Sequence, residues 1–226
     1  MDAHDRSKTT SVAMATVLIM GATRGIGLKA VERALEAGHS VRALARSARR
    51  IPFDHPKLTK VPADALDEAS VERLLEGVDA VIQTLGVTPS VERALRPTNL
   101  FSEAARVLIR AMEKTEVKRL ITVTGFGAGD SRNRGGCLYT TAFHLFLGRA
   151  YDDKDVQEDL IQDSGLDWVI ARPVILTNGS RTGRYRVLVE PRSWRIGFIS
   201  RADVADFLIK QIDDDTYLGK TPVLTG

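Results

Sequence analysis

The chain has 226 residues, and its 32 basic residues nearly balance its 29 acidic ones, which leaves a formal net charge of +3. That length suits one well-filled α/β domain, and a composition that is 43% hydrophobic and 27% charged excludes disordered, collagen-like and membrane-embedded proteins. So small a net charge gives no indication of a nucleic-acid partner.

Cysteine, histidine and terminal patterns narrow the class further. Cys137 is the only cysteine, which excludes an intramolecular disulfide and favours a reducing, cytoplasmic location. The four histidines share no ligand-like spacing, so we expect no metal site. Apolar runs such as VLIM at 17–20 are far shorter than the ~20 residues of a membrane span, so we expect no membrane partner. The polar segment 1–13 predicts a flexible extension before a single domain over 14–226.

Apolar runs of strand length alternate with helical patterns along the domain. The predicted strands are 16–20, 41–45, 59–63, 79–85, 119–124, 167–171 and 222–225. The predicted helices are 25–37, 67–76, 98–114, 140–164 and 202–212. The alternation predicts a single Rossmann domain, a doubly wound and mostly parallel sheet of about seven strands with helices on both faces. Two loop-rich spans, 127–139 and 173–200, follow strands, and we expect the second to form a small substrate-pocket region at the carboxyl edge.

The segment TVLIMGATRGIGLKAVERALEAG gives a strand, a glycine turn and an amphipathic helix in the order that phosphate binding needs. Gly21 permits the sharp turn, and Gly25 and Gly27 let backbone amides approach a pyrophosphate. An ordinary glycine turn is the alternative. If the turn binds a dinucleotide, valine at Gly25 or Gly27 is expected to block binding while the domain stays folded.

This glycine spacing resembles the turn of the short-chain dehydrogenase/reductase superfamily. Further motifs are similar to its atypical branch with NAD(P)H-binding, NmrA-like domains, which includes the flavin reductase/biliverdin reductase B type. They are ADALD at 63–67, TLG at 84–86, VKRLITVTGFGA at 117–128, GLDWVIARPVILT at 165–177 and SRADVADFL at 200–208. The resemblance covers nearly the whole chain and implies a nicotinamide dinucleotide cofactor.

Basic residues at the end of the second strand favour NADP(H) over NAD(H). An acidic residue there would hold the ribose diol, but VRALARSARR places Arg46 at this position, with Arg49 and Arg50 nearby. A guanidinium can hold a 2′-phosphate through charge-assisted hydrogen bonds, and a solvated basic loop is the alternative. The resemblance places Asp64 on the adenine amino group. Helix capping is the alternative role for Asp64, although Asp67 is the better cap candidate.

The resemblance implies cofactor contacts along the carboxyl edge of the sheet. They are Gly21, Thr23, Arg24, Gly25, Ile26, Gly27, Arg46, Asp64, Ala65, Leu85, Gly86, Lys154, Pro173, Val174 and Ile175. The last three follow Arg172 and are expected on the nicotinamide side, while a purely conformational role is the alternative for the proline. Asp203 resembles a helix cap that braces the substrate loop, with Ser200 as the alternative cap.

The superfamily's usual catalytic set is a serine with a Tyr-x-x-x-Lys pair. Thr124 occupies the serine position and Lys154 matches the lysine, but Ala150 stands where the tyrosine belongs. Tyr151 lies three residues before the lysine, so its register is wrong by about 100° of helix rotation. We expect this register to turn the phenol away from the hydride path, and ordinary packing is the alternative role for Tyr151.

Loss of the tyrosine puts carbonyl reduction in doubt and favours a conjugated, flavin-like or quinone-like acceptor. The leading hypothesis is an NADPH-dependent reductase of such a small molecule, acting as a monomer or small homo-oligomer. The runner-up is a non-catalytic NADP(H) sensor of the NmrA type, and a sugar-nucleotide epimerase is disfavoured because few residues follow the sixth strand. Five arginines between 181 and 195 indicate either an anionic acceptor or a solvent-exposed basic loop.

Overall fold

A computed structural model describes residues 14–86, 98–132 and 137–226, with side chains described for all of these except 137–149. The expected extension over 1–13 lies outside the described residues. Ten strands are present in the described part: β1 Thr16–Met20, β2 Ser40–Leu44, β3 Leu58–Val61, β4 Ala80–Gln83, β5 Arg119–Val123, β6 Asp167–Pro173, β7 Ile175–Thr177, β8 Arg186–Leu188, β9 Phe198–Ser200 and β10 Val223–Thr225. Its helices are α1 Gly25–Glu36, α2 Glu68–Leu75, α3 Leu100–Lys114, α4 Cys137–Gln162 and α5 Arg201–Lys210.

Eight strands form the central sheet in the order β3-β2-β1-β4-β5-β6-β10-β8. All pairs are parallel except β10 with β8 at the edge, and β7 pairs with β9 in a separate parallel ribbon. The chain starts at β1 and winds outward in both directions, so the carboxyl ends of β1 and β4 form a topological switch point. This arrangement confirms the predicted doubly wound Rossmann domain.

Alternate residues of β1 supply two hydrophobic cores, because successive side chains of a strand point to opposite faces. Val17 and Ile19 pack with Ala30 of α1 and Leu208 of α5 in one core. Leu18 and Met20 belong to the other core, which α2, α3 and the end of α4 cover. Both faces of the sheet are therefore buried, which explains the nearly continuous apolar strands of the sequence.

The central elements lie within a few residues of their predicted bounds, and the differences gather late in the chain. The span 173–200, expected to be loop-rich, contains β7, β8 and β9. These strands are only three residues long, so alternation of apolar and polar residues gives too short a pattern to detect. Helix α4 begins at Cys137, three residues before its predicted start.

The start of α5 is held by two side chains with different roles. Ser200 is the N-cap, because its hydroxyl accepts a hydrogen bond from the Asp203 amide at 2.9 Å. Asp203 instead braces the preceding loop: its carboxylate accepts the amides of Thr182 and Gly183, both at 2.8 Å, and the Ser200 hydroxyl at 2.9 Å. The expected brace is confirmed, but the cap is Ser200 and not Asp203.

In the described part of the chain, no helix has the length and apolar character to cross a membrane.

Replacing Asp203 with alanine should lower the free energy of unfolding by about 2 kcal/mol, since a buried charged acceptor of several hydrogen bonds is lost. Urea unfolding measures this change. The exposed Asp167 provides the control, because its replacement by alanine should change stability by less than about 0.5 kcal/mol. Equal stability losses in the two variants would contradict the bracing role.

Candidate active site at the carboxyl edge

The three glycines of the turn after β1, Gly21, Gly25 and Gly27, have different structural roles. Gly21 has φ +86°, and a Cβ added to it would lie 2.8 Å from the Thr84 carbonyl oxygen at the end of β4. A Cβ on Gly27 would overlap the Gly21 carbonyl oxygen, so this glycine lets α1 pack on β1. Gly25 has φ +57° and faces space in which the nearest atoms belong to Arg201, at 3.8 Å from its added Cβ. Gly25 is therefore the position where a ligand can approach the backbone.

The helix that starts at Gly25 presents an uncompensated positive end. No acidic residue lies in its first turn, and Arg24 occupies the N-cap position without a side-chain capping hydrogen bond. Arg24 is exposed, whereas Thr23 and Ile26 are half-buried at the turn. Backbone amides at such an end attract anions.

Arg46 lies two residues after the end of β2 and is exposed, as are Arg49 and Arg50 in the short 3-10 turn Ala48–Arg50. Among the described residues, Arg46 has no carboxylate within 4.0 Å, so its charge is available to a ligand. The parallel pairing of β1 with β2 brings this strand end beside the glycine turn, where the Gly21 amide donates to the Leu44 carbonyl at 2.9 Å.

Residues expected around the adenine follow β3 and β4. Asp64 is exposed, and its carboxylate accepts the Leu66 amide at 3.1 Å, which closes a local turn. Asp67 occupies the N-cap position of α2, but its side chain makes no capping hydrogen bond and instead accepts the Ser70 hydroxyl at 2.5 Å. Ala65 is buried in the core. Beyond β4, Leu85 is half-buried and Gly86 is exposed, and the chain from 87 to 97 lies outside the described residues.

The three predicted catalytic residues converge at the end of β5. The Lys154 ammonium donates to the Val123 carbonyl at 3.2 Å and lies 4.2 Å from the centre of the Phe101 ring. Burial lowers the pKa of Lys154 to about 8, although the carboxylates of Glu158 and Asp153 oppose the shift. The preceding residue, Asp153, accepts the Phe101 amide at 2.8 Å and so fixes the start of α3.

Tyr151 also reaches this strand end, because a Cβ added to Gly125 would overlap its hydroxyl. Gly125 directly follows Thr124. The register of Tyr151 therefore does not carry its phenol away from Thr124 and Lys154. A side chain three residues before the lysine can still reach the strand because both lie on one face of α4. Its part in proton transfer stays a prediction.

Thr124 donates its hydroxyl inward, to the carboxylate of Glu158 at 2.5 Å. Glu158 is fully buried and forms a two-point ion pair with Arg172 of β6, with Nε at 3.1 Å and Nη2 at 2.5 Å. Asp130 also binds the Arg172 guanidinium. A hydroxyl has one proton, so Thr124 presents only acceptor lone pairs to the site. This differs from the expected orienting role, in which the hydroxyl donates to a substrate.

Sequence reasoning missed Glu158 and Asp130 and assigned no ion pair to Arg172. One signal was present: an arginine inside the apolar strand DWVIARP needs a buried acceptor. Glu158 lies one turn after Lys154 on α4, on the same helix face. Nothing in the sequence pairs these two residues, because they belong to elements whose contact is set by the fold.

The residues after Arg172 separate into core and surface. Pro173 is buried at the end of β6, and its carbonyl accepts the Phe126 amide at 2.9 Å. Val174 is only 5% exposed and packs in the core, whereas Ile175 is 38% exposed. Of the three expected nicotinamide contacts, Ile175 therefore has the most side-chain surface to offer.

A cavity of about 600 Å³ lies at the ends of β7 and β9. Its lining residues are Thr177, Gly179, Ser180, Thr182, Arg184, Phe198, Ile199, Ser200, Asp203 and Gly226. Phe198 is 65% exposed, so this cavity has an aromatic wall. Of the arginine cluster, Arg181 pairs with Glu36 at 2.9 Å, while Arg184 contributes to the cavity lining. The other three members, Arg186, Arg192 and Arg195, are exposed.

The expectation that valine at Gly27 leaves the domain folded is wrong, because any Cβ there meets backbone. Gly27→Ala should therefore destabilise the protein strongly. Gly25→Ala should cost about 1 kcal/mol for its left-handed backbone and should weaken dinucleotide binding at least tenfold. Gly77, with φ +66° and open space around it, is the matched control. Gly77→Ala should lose similar stability and no affinity in calorimetric titration, and unchanged affinity in Gly25→Ala would remove the turn from the ligand site.

Comparison with known proteins finds relatives that are similar over nearly the whole chain. Reductase pytE of Aspergillus terreus is 26% identical over an alignment that covers 93% of this chain and 97% of the relative. The uncharacterised sugar epimerase YhfK of Bacillus subtilis is 28% identical over 92% of this chain and 96% of its own. The structure of ChuY, an anaerobillin reductase from Escherichia coli O157:H7, has a TM-score of 0.73 and 25% identity, covering 93% of this chain and 96% of that one.

The family model described as NAD(P)H-binding matches residues 21–215, from the first glycine of the turn to the segment after α5. That match includes the open glycine turn, the end of β5 and the buried ion pair behind it. The chain therefore belongs to the NAD(P)H-binding family of Rossmann-fold, oxidoreductase-like proteins.

Proposed function

We propose that the protein is an NADPH-dependent reductase that transfers hydride to a small conjugated acceptor, flavin-like or quinone-like. The observation that carries the proposal is the hydrogen bond from Thr124 to Glu158. A carbonyl substrate needs a hydroxyl donor to orient it, and the proton of Thr124 is held by a buried, arginine-paired carboxylate. A conjugated acceptor takes hydride at one atom and can receive its proton from water, so it needs no such donor.

The turn after β1 fits a dinucleotide pyrophosphate, because Gly25 leaves the space that a Cβ would fill and the first turn of α1 carries no carboxylate. The exposed Arg46 fits a 2′-phosphate, which favours NADPH over NADH. Bound NADPH supplies the hydride. Lys154 is placed to hold the nicotinamide ribose with its ammonium, which Val123 and Phe101 already position.

The acceptor would occupy the cavity at the ends of β7 and β9. Phe198 offers a flat apolar surface to a planar ring, and Arg184 offers a positive charge to an anionic substituent. The parallel pairing of β10 with β6 places Gly226, in the cavity wall, at the same edge of the sheet as the site at the end of β5. A small anionic acceptor is therefore part of the proposal.

A non-catalytic NADP(H) sensor is the second candidate, and the missing tyrosine four residues before Lys154, where Ala150 stands, favours it. NADPH oxidation with a panel of flavins, quinones and tetrapyrroles separates the two. Turnover with a member of the panel supports the reductase. Tight NADPH binding with no turnover on any of them would favour the sensor.

Arg46→Asp should weaken NADPH binding by roughly 2 kcal/mol, because a charge-assisted contact is lost and a repulsion is added. NADH affinity should not fall, because NADH has no 2′-phosphate. Calorimetric titration of both cofactors measures the difference, and Arg106→Asp on the exposed face of α3 controls for the change in net charge. Equal affinity of the unmutated protein for NADPH and NADH would contradict the cofactor preference.

Lys154→Ala should lower both NADPH affinity and turnover, since orientation of the hydride donor carries much of the rate. Tyr151→Phe should change turnover little, because water supplies the proton. Stopped-flow oxidation of NADPH measures both variants, with unfolding midpoints as the control for stability. A fall of about a hundredfold in Tyr151→Phe would restore a tyrosine acid, since that is the usual loss for a general acid.

A further inference from the structure

Arg201 brings a second positive group to the glycine turn, from the start of α5. It is the first residue of α5, and its Nε lies 3.8 Å from the position of a Cβ added to Gly25. Its Nη1 donates to the Asn178 side-chain oxygen at 2.8 Å, just after β7. The Arg201 side chain is thus within van der Waals range of Gly25, the one glycine of the turn whose added Cβ would meet no backbone atom within 4 Å.

Arg201 adds its positive charge to the helix end of α1. It lies at the positive end of its own helix α5 and beside the positive end of α1, where a cation is disfavoured. Across the described ranges, no carboxylate lies within ion-pair distance of Arg201. Other arginines near α1 are paired, such as Arg33 with Asp206 at 2.8 Å and Arg181 with Glu36 at 2.9 Å.

Asp203, in the first turn of α5, carries a negative charge that compensates the positive end of that helix. The Asp203 carboxylate accepts hydrogen bonds from Thr182, Gly183 and Ser200. The first turn of α1 has no carboxylate, so this helix end and the Arg201 guanidinium add their positive potentials, and the guanidinium is hydrogen-bonded to the neutral amide of Asn178. Such a concentration of positive potential is stabilised when an anion binds there.

We propose that Arg201 binds the pyrophosphate of the dinucleotide and so adds the start of α5 to the cofactor site. A guanidinium has five N–H donors, so Nη1 can stay on Asn178 while the other nitrogens face phosphate oxygens. Asn178 acts as a positioning residue through this bond. The inference rests on the dinucleotide-binding part of the proposed function and is independent of the acceptor.

The pyrophosphate is common to NADPH and NADH, which separates Arg201 from Arg46. Loss of Arg201 should weaken both cofactors by the same factor, whereas loss of Arg46 should weaken NADPH alone. The expected factor for Arg201→Gln is about tenfold to a hundredfold, the range for a hydrogen bond to a charged group. Arg201→Lys keeps the charge without the planar fork and should lose less.

The experiment titrates NADPH and NADH into the full chain by calorimetry, for the unmutated protein, Arg201→Gln, Arg201→Lys and Arg106→Gln. Arg106 is exposed on α3, so Arg106→Gln removes the same charge at a distant position. Unfolding midpoints show whether each variant folds. If Arg201→Gln does not fold, the cofactor affinities of Arg201→Lys decide the outcome. Equal weakening of both cofactors, with Arg106→Gln unchanged, supports the proposal.

Three results would overturn it: unchanged affinity in both Arg201 variants, weakening of NADPH alone, or an equal loss in Arg106→Gln. Absence of dinucleotide binding by the unmutated protein would overturn it as well. Absence of acceptor turnover with binding intact would refute the reductase and leave the inference on Arg201 standing, because calorimetry does not depend on turnover.

Discussion

The ion pair between Arg172 and Glu158 joins the elements that form the candidate active site. Arg172 is 1% exposed and Glu158 is fully buried, so each charge would be very costly without the other. The pair links β6 to α4, and a Cβ on Gly129, which has φ +54°, would overlap both side chains. The loop after β5 can therefore cross the pair only with glycine at this position. Trp194, 5.8 Å from the guanidinium and in edge contact with Phe126, closes the other side. The direction of the Thr124 hydroxyl follows from this constraint.

Positive and negative groups are separated along the carboxyl edge. Behind the site, carboxylates form ion pairs with arginines. Glu158 and Asp130 bind Arg172, and Asp155 binds Arg132. The glycine turn carries the positive end of α1, and Arg46 after β2 has no such partner in the described part of the chain. The same sheet edge thus offers one face to phosphates while its interior charges are neutralised. The family's affinity for a dinucleotide has a direct electrostatic basis here.

Sequence patterns predict much of this fold because long amphipathic helices and buried parallel strands carry strong periodic signals. The glycine turn is likewise readable, because positive φ and close packing demand glycine at Gly21, Gly25 and Gly27. The separate role of each glycine cannot be predicted from the sequence, because only the fold brings the Gly21 carbonyl against Gly27. The partners of Arg172 depend on contacts between distant elements, and the strands β7 to β9 are too short to leave a period. The position of the Tyr151 hydroxyl could not be predicted either, since the helix register alone does not determine where the end of a long side chain lies.

Asp153 and Lys154 are neighbours on one turn of α4, and both are tied to other elements. Asp153 holds the backbone at the start of α3, and the Phe101 ring from that helix lies against the Lys154 ammonium. A free lysine side chain would lose up to ~2 kcal/mol of rotamer entropy when it became fixed on a ligand. Here that entropy is already lost on folding, so a ligand meets an immobilised ammonium. Binding energy that would otherwise order the lysine remains available for affinity and for alignment of the reacting groups.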